Sequence, residues 1–451
     1  MTAHVEIDAA QMSEDTTDDA PLRGPRSVSR AHDHIARVAL TEGPIGRVGL
    51  ELEMHLVDRS HPGRRPGWAQ IERLVAGLRA LPGGSTVTLE PGGQLELSTP
   101  PGADVVAAVT GLQRDERRLR AHAGQAGFGL APLGSDPARP PRRVGPGARY
   151  VAMEQHFQAL SASGSGLAMM TATAALQVNL DAGPAAGWDD RLGLVRSLVP
   201  VLVAISAGSP YLGARTSGWH SMRQGTWHGI DHGRTDPVRA GAPGPAWADY
   251  ALAAPVMLVA DDPGGHAPNG TAEGMPRRMT AMTDRVTLEQ WLRGDGPIGR
   301  APTLADVDYH LTTLFPPVRP RGYIEIRCLD SLPDRWWPSL AAIVVSLVDD
   351  PVAADLAAEI CEPVTEMWEA AARWGMADPA IRTAVLACLD LAVRHAAPPL
   401  RAGVAELAEL LQSGRTPSGQ LRSQIERDGP LRVLLDETEL TADTLEDDAD
   451  V

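Results

Sequence analysis

Residues 88–101 read "TLEPGGQLELSTPP", and the alternation inside them decides the fold. Successive side chains of a strand face opposite sides. Leu95 and Leu97 therefore point one way, and Gln94, Glu96 and Ser98 the other. The Pro91-Gly92-Gly93 interruption is unusual within strand-like sequence. Its glycines would let the backbone approach a ligand closely.

Three further segments repeat the pattern. In "GLELEMHL", Leu50, Leu52, Met54 and Leu56 oppose Glu51, Glu53 and His55. In "ALQVNLD", Leu176, Val178 and Leu180 oppose Gln177, Asn179 and Asp181. In "GYIEIRCL", Ile324 and Ile326 oppose Tyr323, Glu325 and Arg327. A half-buried antiparallel strand ordinarily turns such a polar side to water. Solvent faces favour Thr, Lys and Arg over Glu-x-Glu, however. If the four segments are neighbours, Glu51, Glu53, Glu96 and Glu325 converge. Crowded carboxylates repel and their pKa values rise unless a cation intervenes. Mg²⁺ prefers such oxygens and commonly shares them with phosphate. The polar face is thus expected to hold metal and a phosphate-bearing substrate.

Helical spacing predicts helices over Val28–Leu40, Trp68–Leu81, Ala103–Gly124, Ala152–Leu160 and Trp188–Ile205. Several more are expected between Pro338 and Leu411, separated by Pro351, Pro363, Pro379 and Pro398. Gly- and Pro-rich passages at Leu133–Gly147 and Asp261–Met275 read as loops. The expected architecture is α+β: a largely antiparallel, curved sheet with a polar active-site face and helices on the other face. Residues 26–438 form one catalytic domain, helical from about 338, between disordered acidic ends at 1–25 and 439–451.

Composition narrows the chemistry. Lysine is absent, so all 41 basic residues are arginine. That removes the P-loop, protein-kinase and Schiff-base chemistries, each of which needs a lysine. Phosphate must then be handled by Arg, backbone N–H groups or metal. The formal charge of −16, without a basic stripe, argues against a nucleic-acid partner. No apolar run reaches membrane-spanning length, and the opening residues lack the basic end and apolar middle of a signal peptide. A cytoplasmic protein with no membrane partner is expected. Cys328, Cys361 and Cys388 are too widely spaced for a zinc cluster or a disulfide framework. Aromatic residues make up only 4%, so the core must be Ala, Val and Leu. No feature fixes an oligomeric state.

The segments "GLELEMHLVD", "LEPGGQLELSTPP", "TATAALQVNLD", "SPYLGARTSGWHSMRQGTWHGIDHGRT" and "DVDYHLTTLFPPVRPRGYIEIRCLDSLP" resemble, in order, the glutamate–cysteine ligases of the plant and bacterial type. These are carboxylate–amine ligases related to glutamine synthetase, and the subtype that feeds ergothioneine synthesis looks closest. The resemblance implies a glutamine synthetase/guanido kinase-like catalytic fold. It implies that ATP phosphorylates the γ-carboxylate of glutamate and that the cysteine amine attacks the acyl phosphate, giving γ-glutamylcysteine. The implied partners are glutamate, cysteine and ATP, with Mg²⁺ as cofactor. By similarity, Glu51, Glu53, Glu96 and Glu325 are metal ligands, and Arg327 stabilises the transferred phosphoryl group. Arg223 is a candidate clamp on the glutamate α-carboxylate. Arg149, Tyr150, Gln94, Gln177 and Asn179 are candidate substrate contacts. Asp231, Arg234 and Thr235 fit either a ligand contact or an ion pair that holds a loop.

Alternatives stay open. Relatives of this group join glutamate to other amines. His220, His228 and His232 raise a zinc hydrolase, although Gly229 stands where a helix-borne zincin motif has Glu. A non-enzymatic binding protein is the third reading.

Overall fold

The apolar sides of the alternating segments build one seven-stranded sheet. The computed structural model describes residues 20–260 and 278–439. The strands are β1 Val48–Asp58, β2 Thr86–Leu89, β3 Leu95–Ser98, β4 Phe128–Ala131, β5 Ala175–Leu180, β6 Val318–Pro320 and β7 Ile324–Asp330. Their spatial order is β6-β7-β5-β1-β3-β2, with β4 paired to the end of β1. All of these pairings are antiparallel. Leu50, Leu52, Met54, Leu95, Leu97, Leu176, Val178, Ile324 and Ile326 are fully buried on one face. The register then sets the polar face: Glu53 lies opposite Glu96, Glu51 opposite Gln177, and Glu325 opposite Asn179. Ile326 pairs with Val178 but Leu329 with Leu176, so β7 bulges at Arg327 and Cys328. Bulges of this kind re-aim a side chain beside a site.

Helices Val105–Gln125, Trp188–Ser206 and Trp337–Asp349 cover the apolar face. Pro351–Cys361, Trp368–Trp374 and Pro379–His395 pack behind Trp188–Ser206. The prolines expected as separators open helices: Pro351 and Pro379 occupy first-turn positions, where a missing N–H costs nothing. Asp350 and Asp378 cap these helices from in front. The core these layers enclose is rich in Leu, Val and Ala. In it, the Cys361 and Cys388 sulfurs lie 3.7 Å apart, both as free thiols.

Helix ends moved where caps act. The predicted Ala103 start becomes Val105, because the Asp104 side chain accepts from Ala107 N–H. The helix from Trp68 stops at Ala76, before Gly77. Helix Ser163–Ala172 was not predicted. Gly164 and Gly166 weaken its local propensity, but Gly166 lets the Phe157 ring pack where a Cβ would stand 2.3 Å away. The loop expected at Asp261–Met275 lies outside the described residues, as does most of both acidic ends. Leu22, in the stretch expected to be disordered, is buried against Ala31, Ile35 and Trp247.

The Pro-Gly-Gly turn is fastened by the chain itself, and Pro91 borders the cavity described below. Gly93 N–H donates to Glu90 O, and Gly93 has φ +88°. A Cβ on Gly92 would lie 2.2 Å from the Thr171 carbonyl oxygen. The close approach read from the sequence is therefore to the Thr171 backbone. Val144 and Gly145 N–H groups both donate to Pro91 O, fastening the turn on its other side. Gly92→Ala is expected to cost about 1–3 kcal/mol, the range for overpacking, and Gly93→Ala about 1–2 kcal/mol for a left-handed residue. Urea unfolding checks both. A Gly92→Ala protein as stable as the wild type would contradict the packing described.

Candidate active site

The polar face forms the floor of a cavity of about 230 Å³. That is below the roughly 300–1,000 Å³ of sites that enclose a drug-sized ligand, so this enclosed part suits reacting groups rather than a whole nucleotide. Glu51, Glu53 and Glu96 line it from β1 and β3, and Gln177, Glu325 and Arg327 from β5 and β7. Gln94 lines it beside the turn, Arg149 and Tyr150 from helix Ala148–Ala159, and Arg223 from helix Met222–His228. All the residues singled out for the site thus gather here except Asn179. That side chain shares the polar face but lies beside the cavity, half-buried, where its Nδ2 donates to Glu51 Oε1 at 2.9 Å. It orients Glu51 instead of lining the cavity. His55, on the same face of β1, is also turned away. Its Nε2 meets Leu133 O, and burial holds it neutral, with a pKa of about 3.

Neutral amides hold the acids in place. Gln177 Nε2 donates to Glu51 Oε2 at 2.8 Å, while Gln177 Oε1 accepts from Arg327 Nη1 at 2.5 Å. Glu53 Oε2 accepts from Ala175 N–H. Thr88 and Ser98 hydroxyls both donate to Glu96 Oε1. Gln94 Nε2 donates to Thr173 O, leaving its buried Oε1 without a partner. Arg149 donates both Nη groups to Thr312 and lies over the Tyr309 ring. Arg223 is only 3% exposed, so it is no surface arginine. Its Nη2 donates to Arg327 O, and its buried Nη1 has no partner.

Two opposite electrostatic regimes meet on this floor. Burial pushes Glu51 up to about 7, and repulsion from Glu96 and Glu325 adds to it. Burial raises Glu53 against the pull of Arg223, and raises Glu96 with Glu53 adding repulsion. Glu90 is raised well above the ordinary range by burial, then by Glu96 and Glu53. Glu90 in turn drives the Tyr150 phenol upward. Burial acts on Glu325 too, but Arg319, Arg327 and Arg321 overcome it and hold that carboxylate ionised. Arg319 grips Glu325 through two bonds, of 2.5 and 2.9 Å, with Arg327 at 3.2 Å and Arg321 at 3.3 Å. Glu325 therefore differs from the other acids: in this state arginines already neutralise it.

Glu90, Arg319 and Arg321 line the cavity but were not singled out in the sequence. Glu90 faces the same way as Thr88 along the β2–β3 hairpin, so the period-two rule that found Glu96 also marks it. Arg319 and Arg321 flank Pro320, and a proline argues against a strand except at a sheet edge. β6 is that edge. Met153, Met169, Met170, Trp227 and Phe315 supply an apolar wall.

Other motifs stay outside the cavity. Asp231 caps helix His232–Thr235 and pairs with Arg234 and Arg285, while Arg234 donates to Thr313 O and Pro255 O. These contacts fit the loop-holding role. His228 and His232 rings meet edge-on at 4.9 Å, but they approach Glu369 and Asp236 respectively. Among the described residues no three His, Cys, Asp or Glu side chains already form a cage for one ion. A hard cation that takes one or two carboxylates together with phosphate oxygens needs no such cage. Four crowded acids with raised pKa values suit it. Among the described residues no helix is long and apolar enough to cross a membrane.

Residues 47–437 match the glutamate–cysteine ligase family 2 (GCS2). The chain is 46% identical over 403 residues to glutamate–cysteine ligase EgtA of Mycolicibacterium smegmatis, covering 88% of this chain and 92% of that protein. It is 45% identical over 421 residues to the Mycobacterium tuberculosis protein of the same name, covering 92% and 94%. The chloroplastic glutamate–cysteine ligase of Arabidopsis thaliana is 30% identical over 284 residues, 61% of this chain and 51% of that one. A solved glutamate–cysteine ligase from Francisella tularensis, in complex with AMP, shares the fold at TM-score 0.56 over 88% of each chain, with 13% identity.

The raised acids have a pH consequence. A carboxyl with a higher pKa in the folded chain keeps its proton longer there than in the unfolded one. The stability this confers is complete below about pH 4.5 and is lost as pH rises through the folded value, about 7 for Glu51. A divalent cation binds the ionised form, so its affinity must rise over the same interval. Added Mg²⁺ is expected to raise the melting temperature more at pH 8 than at pH 6, and Glu51→Gln with Glu96→Gln is expected to abolish the difference. A Mg²⁺ response independent of pH would count against an ion among these carboxylates.

Proposed function

The chain belongs to glutamate–cysteine ligase family 2, and we infer that it is an ATP-dependent ligase that joins glutamate to cysteine through a γ-glutamyl phosphate, supplying ergothioneine synthesis. The observation that carries this is the meeting of four crowded glutamates with the buried guanidinium of Arg223, whose Nη1 has no partner, in one cavity. Acids alone would suit a metal store, and guanidiniums alone an anion site. Phosphoryl transfer needs both, because its catalysis is positioning plus charge neutralisation.

Glu51, Glu53, Glu90 and Glu96 would hold Mg²⁺, which when bound would offset the charge of the ATP phosphates. Glu325 joins that set only when one of its three arginines releases it. Arg223 offers its free Nη1 to a substrate carboxylate, a charge-assisted bond in a buried place. Arg327 is fixed between Gln177 and Glu325, so it can meet the transferred phosphoryl group without reorganising. Arg321, 48% exposed at the cavity mouth, is placed to reach phosphates outside the enclosed part. Arg149 and Tyr150 border the cavity from the helix that roofs it. The methionine and aromatic wall keeps water from an acyl phosphate until the amine arrives.

With ATP and Mg²⁺, phosphate release is expected only when glutamate and cysteine are both present. Release supported by another acid without glutamate would remove the cysteine-ligase reading and leave a general carboxylate–amine ligase. Arg327→Gln is expected to lower kcat about 10²–10³-fold, as for loss of one oxyanion donor, and Glu53→Gln to lose most turnover. Circular dichroism should show both folded. Turnover unchanged in either would reject the assigned role.

A further inference from the structure

The C-terminal helices enclose a second cavity of about 810 Å³, within the roughly 300–1,000 Å³ of small-molecule sites. It shares no lining residue with the catalytic cavity. Helices Pro379–His395, Arg401–Gln412 and Pro417–Asp428 form its walls, with His220 and Arg335 on one side. Arg335, Arg382, Arg415 and Arg427 line it, and no Asp or Glu does. In a chain of formal charge −16, cations gathered without acids need a reason. Arg427 pairs with its neighbour Asp428. Arg415 Nε donates only to Ser413 Oγ, and Arg335 lies over the Trp336 ring. Among the described residues Arg335, Arg382 and Arg415 have no ion-pair partner. The charge of Arg335 is partly met by Glu437, whereas Arg382 and Arg415 find no acidic side chain among the described residues that line the cavity.

Two further features point the same way. The N-terminus of the Pro417–Asp428 helix, capped by Thr416, opens on this cavity at Thr416, Gly419 and Gln420. That end of a helix carries positive partial charge, although the Gly419 and Gln420 N–H groups are already taken by Thr416 Oγ1 and Thr416 O. Met376, Leu386 and Leu411 offer an apolar patch for a carbon skeleton. We propose that this cavity is a second binding site, for a small organic polyanion carrying two or more phosphate or carboxylate groups.

The site does not rest on the ligase reading, but it touches the same segment. His220 and Ser221 N–H groups both donate to Ala372 O, at 3.0 and 2.9 Å. Ser221 then caps helix Met222–His228, which carries Arg223 into the catalytic cavity. The cavity thus borders the segment that positions Arg223.

Calorimetric titration of the full chain without divalent cation tests this, with tripolyphosphate and citrate as the phosphate and carboxylate probes. At least one probe is expected to show a binding event that Arg321→Gln, at the catalytic mouth, retains. The Arg382→Gln/Arg415→Gln double variant is expected to weaken that event at least tenfold. All three arginines are exposed, and an unchanged melting temperature without probe would show the double variant folded. An event that survives in the double variant at wild-type affinity, or no event with either probe, would overturn the proposal.

Discussion

The register between β1 and β3 is the constraint on which the rest depends. It sets Glu53 directly opposite Glu96, an arrangement that is unfavourable in itself because like charges opposite one another repel. The pair persists because neither strand can slip. Moving either by one residue would turn its leucines to the cavity and its glutamates into the core. Burial of Leu50, Leu52, Leu95 and Leu97 thus fixes the acids where their own chemistry disfavours them. The repulsion appears as raised pKa values, and a cation would relieve it. Packing on one face of the sheet holds electrostatic strain on the other.

The arginine-only composition fits the same design. Glu325 lies fully buried among Arg319, Arg321 and Arg327. A lysine so buried would tend to lose its proton, whereas a guanidinium stays charged and bonds a carboxylate through two N–H groups. Arg319 does so with Glu325. Arg223, buried without an ion-pair partner, stands under the same demand, since burial lowers its pKa and a guanidinium tolerates that better than an ammonium. The floor thus has two kinds of acid: one group that resists ionisation and one held ionised.

Much of this was legible because it follows from a period of two. The parity of "GLELEMHL" and "GGQLELS" placed Glu51, Glu53 and Glu96 on one face, and the structure puts all three in the cavity. The same parity puts His55 and Asn179 on that face, but a face says where a side chain starts and not what it bonds: His55 meets Leu133 O and Asn179 meets Glu51. Arg319 was hidden by Pro320, and helix Ser163–Ala172 by glycines whose use is a contact with Phe157. Gly92 was read as making room for a ligand, but the neighbour it admits is the Thr171 backbone. Each failure concerns a tertiary partner distant in sequence, which local pattern cannot name.

Acids and bases reach the cavity by different routes, and the difference has a structural cause. The acids whose pKa values are raised sit on β1, on β3 and beside the hairpin turn, so sheet hydrogen bonding locks their spacing. The bases arrive by more varied routes: Arg319 from edge strand β6, Arg327 from the bulge in β7, Arg321 from the turn between them, and Arg149 and Arg223 from helices. Asp330 ties one of these routes to the sheet. Its carboxylate accepts from Gly208 N–H and from the Ser209 and Ser221 hydroxyls, joining the end of β7 to the residue that caps the Arg223 helix. Arg223 is therefore set by a hydrogen-bonded joint rather than by strand register.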